Sequence, residues 1–385
     1  MAIVLFDNAQ RNYLQPFIAT KAIAALRFGI ITIAERWALR TNQQVFIHTN
    51  HYLQSLYPLL EEGDHVWVDA SIMPTENLLD RILSLQIGEA LANERGLIAG
   101  RTNAPSHTFN PKESLQWFQN IYDVLDVECI QYPQQLFHWN DKMIREDFAY
   151  LTKNKTSQPI NHSNQVINAQ AIFLEDNVTL DFCTLNASTG PIYIAKDAVI
   201  MEGSMLRGPL VIGKNSLVKM GSKFYGATTI GPNCVVGGEI KNVVFQGHSN
   251  KAHDGYLGDS VIGEWCNFGA GSSNSNVKNT GGDVKIWNAG ANAFVSGGQK
   301  CGVLMGDYSR VAINSSVNTG SFIGVCCNVF GAGLLPTKIP NFTWGTLAEY
   351  DLEKAYTDIN NWKQMKHQSL TDAEIGILKH IFEAR

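Results

Sequence analysis

An apolar residue recurs every six positions between residues 194 and 236, and this period constrains the fold more than any other feature of the sequence. The recurring positions are Ile194, Ile200, Leu206, Ile212, Val218, Phe224, Ile230 and Val236. Helices and ordinary strands have no six-residue period, whereas a parallel β-helix with triangular coils places one hexapeptide on each face. We therefore predict a left-handed parallel β-helix whose apolar side chains fill a narrow interior.

The period returns further along the chain, after two interruptions. It reappears at Ile262 and Phe268, and then at Met305, Val311, Val317, Ile323 and Val329. The interruptions are a polar run over residues 242–256 and a second one from residue 274, and we expect irregular coils over 286–302. Since loops that leave a rigid scaffold often carry the functional residues, both interruptions are expected to be ejected loops that hold a site.

The first 150 residues alternate short β-branched runs with helical spacing. The runs are Ala2–Phe6, Gln44–His48 and His65–Val68, and the helical segments are Gly29–Arg40 and Thr75–Leu85. This alternation predicts a three-layer, Rossmann-like α/β domain with a parallel sheet. Ligands of such sheets bind beyond the carboxyl ends of the strands, which points to residues 7–16 and 69–74.

Four segments follow from these patterns. We predict an α/β domain over 1–152, a linker over 153–165, a β-helix over 166–339 and a helical tail over 340–385. In the tail, Thr371 and Glu374 form a capping box ahead of an amphipathic helix over 375–382.

Composition excludes several classes of protein. A net charge of -5, without a basic stripe, argues against nucleic-acid binding. No apolar run is long enough to span a membrane, and no secretory leader is recognisable. The seven cysteines have no regular spacing and are expected to be reduced and buried, as in a cytoplasmic protein.

The segment from Lys251 to Gly271 carries a family resemblance. It contains a histidine, a tyrosine three residues later, Leu-Gly-Asp, and an asparagine before an apolar residue and Gly-Ala-Gly. In this order the segment resembles the acetyltransferase loop of the bacterial bifunctional enzymes that make UDP-N-acetylglucosamine. Those enzymes fuse a uridylyltransferase domain to a hexapeptide-repeat glucosamine-1-phosphate acetyltransferase.

The resemblance assigns roles to particular residues. It implies that His253 is the catalytic base, and that the sugar phosphate is contacted by Lys241, Tyr256, Asn267 and Asn276. It also implies acetyl-CoA as the acyl donor and a homotrimer with the coenzyme between neighbouring β-helices. The residue types suit this chemistry, because imidazole takes up protons near neutral pH, lysine binds phosphate, and amides fix a sugar.

The N-terminal segment is similar to sugar nucleotidyltransferases but lacks the glycines of their phosphate loop. After the first strand it retains Arg11 and Pro16, and Gly29–Ile33 resembles the segment that follows that loop. Arg11, Lys21 and Arg27 are candidates for binding nucleotide phosphates. Asp69, just past a strand, is a candidate ligand for Mg²⁺ between substrate phosphates.

Three classes of function remain open at this stage. The first is a two-domain enzyme of sugar-nucleotide synthesis, which joins an amino-sugar 1-phosphate acetyltransferase to a nucleotidyltransferase that uses a nucleoside triphosphate. The second is an acyltransferase whose N-terminal domain only binds a nucleotide or sugar. The third is a trimeric scaffold without catalytic activity.

Overall fold

The chain folds into two compact units. The structure is a computed structural model that describes residues 1–58 and 60–385. The first unit comprises residues 1–14, 20–26 and 31–131, and the second comprises 15–19, 27–30 and 132–385. Residues 132–152, which follow the α/β sheet in sequence, therefore lie with the second unit.

The first unit is a mixed α/β domain around one six-stranded sheet. Its strands are β1 (Ile3–Phe6), β2 (Val45–His48), β3 (His65–Asp69), β4 (Glu89–Asn93), β5 (Gly96–Thr102) and β6 (Asn120–Asp123). Its α-helices are α1 (Ile33–Thr41), α2 (His51–Gln54) and α3 (Glu76–Ser84). The strand order is β2-β1-β3-β5-β4-β6.

The sheet is parallel at β1, β2 and β3, as the sequence predicts, and antiparallel at β5, which the sequence analysis did not predict. β1 pairs in parallel with β2 and β3, as the alternation of strands and helices indicates. β5 runs antiparallel to both β3 and β4, because β4 and β5 form a hairpin. Helix α1 begins at Ile33 rather than at Gly29, because Thr32 and Glu35 form a capping box there.

The second unit is a parallel β-helix, preceded by α4 (Gln135–His138) and α5 (Asn140–Thr152) and followed by α6 (Leu352–Gln364) and α7 (Asp372–Glu383). Its strands are β7 (Gln165–Ile167), β8 (Ile172–Leu174), β9 (Thr179–Leu180), β10 (Thr184–Asn186), β11 (Ile192–Ile194), β12 (Val199–Ile200), β13 (Met205–Arg207), β14 (Leu210–Ile212), β15 (Leu217–Val218), β16 (Lys223–Tyr225), β17 (Thr228–Ile230), β18 (Val235–Val236), β19 (Glu239–Gly247), β20 (Asn250–Lys251), β21 (Tyr256–Glu264), β22 (Asn267–Phe268), β23 (Ser273–Asn274), β24 (Lys285–Asn288), β25 (Ala293–Ser296), β26 (Leu304–Met305), β27 (Arg310–Val311), β28 (Ser316–Val317), β29 (Phe322–Ile323), β30 (Asn328–Val329), β31 (Lys338–Ile339), β32 (Thr343–Trp344) and β33 (Ala348–Glu349).

The six-residue period is confirmed as the core of this β-helix. Ile212 lies beside Ile230 in parallel register, three hexapeptides further along the chain, and both side chains are buried. The small residues form polar ladders at the corners. For example, the Ser216 hydroxyl donates to the Gly231 carbonyl (2.8 Å) and accepts from the Cys234 amide (3.0 Å). Burial of the apolar stack is the main stabilising contribution, at roughly 25 cal/mol per Å² of apolar surface.

The expectation of an ejected loop over residues 242–256 is wrong. Strands β19 and β21 each run for nine residues across two faces of the β-helix, and most of the interruption lies in its wall. The period breaks because this coil is shorter: Val236 pairs with Lys251, not with Asp254 as the six-residue register would require. A short turn that carries the exposed residues His253 and Asp254 joins β20 to β21.

The second interruption is an insertion, but it contains regular structure. Residues 275–303 separate β23 from β26, and within them β24 and β25 form an antiparallel hairpin. Trp287 and Phe294 face each other across it, with ring centroids 5.4 Å apart. The expectation of irregular coils over 286–302 is therefore corrected.

The C-terminal helices pack on one face of the β-helix. The predicted capping box is confirmed, with Thr371 as the N-cap of α7 and Glu374 bonded back to it. Lys366, just after α6, donates to the carbonyl oxygens of Asn233 and His248. Within the described parts of the chain, none of the helices combines the length and the apolar character that a membrane span needs.

Candidate functional site

The first unit contains a cavity of about 480 Å³ at the carboxyl ends of β1 and β2. Polar side chains on its wall include Asp7, Thr49 and the histidines His48, His51 and His107. Its apolar wall includes Val4, Ile47, Leu60 and Phe109. A cavity in this position agrees with the rule that ligands of parallel sheets bind beyond the strand ends.

Asp7 organises the polar side of this N-terminal cavity. Its carboxylate accepts hydrogen bonds from Arg11 Nε (2.9 Å), Thr49 Oγ1 (2.5 Å) and the backbone amide of Ile23 (2.8 Å). Burial raises the pKa of Asp7, and the Arg11 guanidinium opposes that rise. Burial likewise lowers the pKa of His48, which favours a neutral imidazole on the cavity wall.

The three predicted phosphate-binding cations are divided between the two units. Arg11 is buried in its ion pair with Asp7 and donates to the carbonyl of Lys21 (3.3 Å). Lys21 is buried in the same unit, whereas Arg27 belongs to the second unit, where its Nη1 donates to the carbonyl of Ile30 (2.6 Å). Arg11 thus binds a carboxylate and a backbone carbonyl of this chain, and Arg27 binds a backbone carbonyl.

Asp69, the predicted Mg²⁺ ligand, is a buried hydrogen-bond acceptor. Its two oxygens each accept from Asn8 Nδ2 (2.9 Å), and one also accepts from the amide of Ser71 (2.8 Å). Burial raises the pKa of Asp69. No group of three or more His, Cys, Asp or Glu side chains suited to a metal ion occurs within 1–58 and 60–385. These hydrogen bonds leave acceptor capacity on the carboxylate, and a Mg²⁺ ligand role for Asp69 stays a prediction.

Three of the predicted acetyltransferase residues lie around Asp259 in the β-helix. Asp259 accepts from Asn276 Nδ2 and from Asn242 Nδ2 (2.7 Å). Burial and the Asp259 charge raise the pKa of Tyr256 to about 12, while a hydrogen bond with Asn276 opposes that rise. Lys241 pairs with Gly258, the residue before Asp259. We call Lys241, Asn242, Tyr256, Asp259 and Asn276 the Asp259 cluster.

The other two predicted residues, His253 and Asn267, line a separate cavity of about 410 Å³. Its remaining walls include Asn250, Ile313, and Trp362 and Met365 at the end of α6. We call it the α6 cavity. His253 is exposed on the turn between β20 and β21, so its imidazole is accessible to a ligand in the cavity.

A buried lysine holds the turn that carries His253. Lys251 occupies an inward position of the stack, next to Val236, and only 2% of it is exposed. Its Nζ donates to the carbonyls of His253 (2.5 Å) and Gly237 (3.3 Å). Burial lowers the pKa of Lys251 to about 8, with Asp254 opposing the shift. The amine therefore ties the exposed turn to the core.

Sequence reasoning missed several residues of these sites. It gave no role to Asp259, the aspartate of the Leu-Gly-Asp motif, and it overlooked His138 in α4, a helix that packs against β19 and β21. Burial lowers the pKa of His138, and Asp259 raises it in part. Trp362 and Met365 carried no local signal, because only the tertiary packing of α6 brings them to His253.

Fold and cavities together define a two-unit protein with an α/β domain, a parallel β-helix and a candidate ligand site in each. Residues 3–156 match the model of the family described as sugar nucleotidyl transferase. The similarity of the N-terminal segment to sugar nucleotidyltransferases is thereby confirmed.

Two curated relatives match parts of the chain. A bifunctional sugar-1-phosphate nucleotidylyltransferase/acetyltransferase of Sulfurisphaera tokodaii is 35% identical over 92 residues, 24% of this chain and 23% of the relative. The bifunctional protein GlmU of Methanocaldococcus jannaschii is 31% identical over 106 residues, 28% of this chain and 26% of the relative. The match thus spans about a quarter of the length of each relative. Both names agree with the resemblance to bifunctional transferases.

Proposed function

We propose that the β-helix transfers an acetyl group from acetyl-CoA to the amine of an amino-sugar 1-phosphate. The observation that carries this proposal is the α6 cavity, which has the accessible imidazole of His253 and the amide of Asn267 on one wall. The order of residues from Lys251 to Gly271 and the names of the two relatives support it. We propose UDP-N-acetylglucosamine synthesis as the pathway served by this step.

In the proposed reaction, His253 takes a proton from the sugar ammonium group as the nitrogen attacks the thioester carbonyl. A carbon–nitrogen bond forms, the carbon–sulfur bond breaks, and the leaving thiolate of coenzyme A takes up a proton. General-base catalysis of this kind contributes roughly 10²–10⁴-fold to a rate. Lys241 offers its charge to the sugar phosphate, and the Tyr256 hydroxyl and the Asn276 amide bind the sugar.

The test is release of free thiol from acetyl-CoA in the presence of amino-sugar 1-phosphates. The wild-type chain should turn over at least one of them, and His253→Ala should reduce kcat by roughly 10²-fold or more. His162→Ala is the matched control, because His162 is also exposed on the second unit and is absent from the α6 cavity. Undiminished turnover in His253→Ala would exclude this histidine as the base.

We propose that the two groups of residues complete one another between copies of the chain in a homotrimer. His253 and Asn267 line the α6 cavity, whereas Tyr256 and Asn276 belong to the Asp259 cluster. In a closed ring of identical subunits, every copy has a neighbour on each side. His253 and Asn267 of one copy can therefore face Tyr256 and Asn276 of the next copy. Light scattering of the purified chain tests the trimer, and a monomer would contradict it.

For the first unit we propose transfer of a nucleotidyl group to a sugar 1-phosphate in the N-terminal cavity. In this reaction the sugar phosphate attacks the α-phosphorus of a nucleoside triphosphate, and pyrophosphate leaves. The family match over residues 3–156 and the position of the cavity at the strand ends support the proposal. The test is pyrophosphate release from a set of nucleoside triphosphates with sugar 1-phosphates.

A second candidate function for this unit is binding of a nucleotide or sugar without catalysis. The ion pair between Arg11 and Asp7 favours it, because the arginine that follows the first strand is already neutralised. A ligand that raises the Tm without any pyrophosphate release would support this alternative. The proposed substrates are cytoplasmic metabolites, and seven free, buried cysteines are consistent with that compartment.

A further inference from the structure

We infer that Lys251 is a positioning residue for the proposed acetyl transfer, and that its buried amine holds His253 where the imidazole can take the proton of the acceptor. This inference rests on the proposed function of the β-helix and adds a residue to it. Lys251 acts through the backbone of the turn that carries His253, from inside the β-helix.

Lys251 occupies a position where the fold requires an apolar side chain. Strand β20 lies between β18 and β22, and the register places Lys251 beside Val236 on one of these strands and beside Phe268 on the other. All three side chains are buried. Since an aliphatic residue would continue the apolar stack, packing of the core gives no reason for a lysine at this position.

The buried amine makes the folded chain less stable at neutral pH. Burial lowers the pKa of Lys251 from the ordinary 10.5 to about 8, and the Asp254 charge opposes this shift in part. At pH 7 the protonated amine is therefore disfavoured in the folded chain relative to the unfolded chain. Residues that depart from the local packing rule at a loss of stability are expected at functional sites.

The amine makes its shortest hydrogen bond to the proposed base. Lys251 Nζ donates to the carbonyl oxygen of His253 at 2.5 Å and to that of Gly237 at 3.3 Å. Gly238, at the same corner of the β-helix, has a φ of +75°, and a Cβ there would lie 2.8 Å from the His253 carbonyl oxygen. The amine and the backbone at Gly238 therefore both confine the position of this carbonyl.

The remainder of the turn has anchors of its own. The carbonyl oxygen of Asp254 accepts from the amide of Gly271 (3.2 Å), and that of Gly255 accepts from the amide of Glu239 (3.3 Å). Loss of the lysine amine should therefore release the peptide of the proposed base and leave the rest of the turn in place. A displacement of about 1 Å can reduce a rate roughly 10²-fold, because proton transfer requires a close and directed contact.

The first measurement is steady-state release of thiol from acetyl-CoA by the wild type and by Lys251→Met. Methionine keeps the length of the side chain and removes its donors. We expect kcat to fall roughly 10- to 100-fold while KM for acetyl-CoA changes by less than about twofold, because the amine acts on the base through the turn. Lys214→Met is the matched control, since Lys214 is exposed on the β-helix, and it should keep the wild-type kcat.

The second measurement separates a positioning role from a structural one. Lys251→Met should unfold in urea at pH 7 at a midpoint equal to or higher than that of the wild type, because the substitution removes a buried charge. Amide hydrogen exchange should become faster over residues 252–255 and stay unchanged in β18 and β22. The variant should thus be at least as stable as the wild type and less active.

Three results would overturn the inference and leave the proposed acetyltransferase intact. They are an unchanged kcat in Lys251→Met, a kcat that falls together with the urea midpoint, and unchanged exchange over residues 252–255. The absence of thiol release by the wild-type chain with every acceptor would overturn the proposed function itself, and the positioning role with it.

Discussion

Replacement of Lys251 by methionine should remove a large pH dependence from the stability of the β-helix. Lys251 is buried in the apolar stack, and burial lowers its pKa from the ordinary 10.5 to about 8. Between these two values the unfolded chain binds more protons than the folded chain, so stability rises as the pH rises. Each unit of pKa shift corresponds to about 1.4 kcal/mol, so the lysine costs the folded state about 3 kcal/mol below pH 8.

The assay is urea unfolding of the wild type, Lys251→Met and Lys223→Met, followed by circular dichroism at pH 7 and pH 10. The free energy of unfolding of the wild type, minus that of Lys251→Met, should rise by about 2.5 kcal/mol between these pH values. Buried cysteines and tyrosines have raised pKa values, which make stability fall as the pH rises. Their contribution is the same in both proteins and therefore cancels in the difference. Lys223 is exposed, so Lys223→Met should track the wild type. A wild-type minus Lys251→Met difference that stays constant with pH would refute the reasoning.

Three further predictions concern stability and reactivity. Asp7→Asn leaves the buried Arg11 without its carboxylate partner and should lower the free energy of urea unfolding by about 3–5 kcal/mol. Asp64→Asn, which breaks a partly exposed ion pair, is the control and should lower it by about 1 kcal/mol or less. Phe224→Ala should cost about 3–5 kcal/mol by opening a cavity in the stack, and Phe182→Ala, at a position 70% exposed, should change stability by less than about 0.5 kcal/mol. The seven buried cysteines should resist a thiol reagent in the native chain and all react in urea; fast native labelling would contradict their burial.

The β-helix core could be predicted because its signal is local. Each face contributes one inward side chain at a fixed spacing, so residues such as Ile212 and Val329 are identified without knowledge of their partners. The shortened coil could not be predicted in the same way. The pairing of Val236 with Lys251 depends on where the chain turns from one face of the β-helix to the next. A polar run that stays in the wall of the β-helix also has the same sequence pattern as a polar run in an ejected loop.

Antiparallel hairpins were missed in both units for a related reason. β4 and β5 are joined by the short turn around Glu94 and Arg95, and β24 and β25 enclose a turn that reaches Asn292. A hairpin is recognised in a sequence when apolar and polar residues alternate on two neighbouring strands in matching positions. Trp287 and Phe294 indicate a hairpin only when it is already known that they pair with each other. The six-residue period and the alternation of strands with helices indicate parallel structure only.

The candidate site was predictable to the extent that it lies within one segment. The order from Lys251 to Gly271 led to His253, Tyr256 and Asn267, but it did not indicate that they lie in two separate places. The walls supplied by Trp362 and Met365 come from a helix about a hundred residues later, which only tertiary structure reveals. In the first unit, the sequence pointed to the end of β1, where a cavity lies, but it did not point to the histidines of that cavity.

Complementation between two inactive variants tests the central claim, a transferase site shared by neighbouring copies, most directly. His253→Ala and Asn276→Ala, each inactive alone, are unfolded together, refolded as mixed oligomers and assayed for thiol release from acetyl-CoA. If one copy supplies His253 and its neighbour supplies Asn276, random mixing in a closed ring restores about one quarter of the wild-type activity. Wild-type chain refolded in the same way is the control and should recover its activity. If the control recovers and the mixed oligomers remain inactive, the shared site is contradicted.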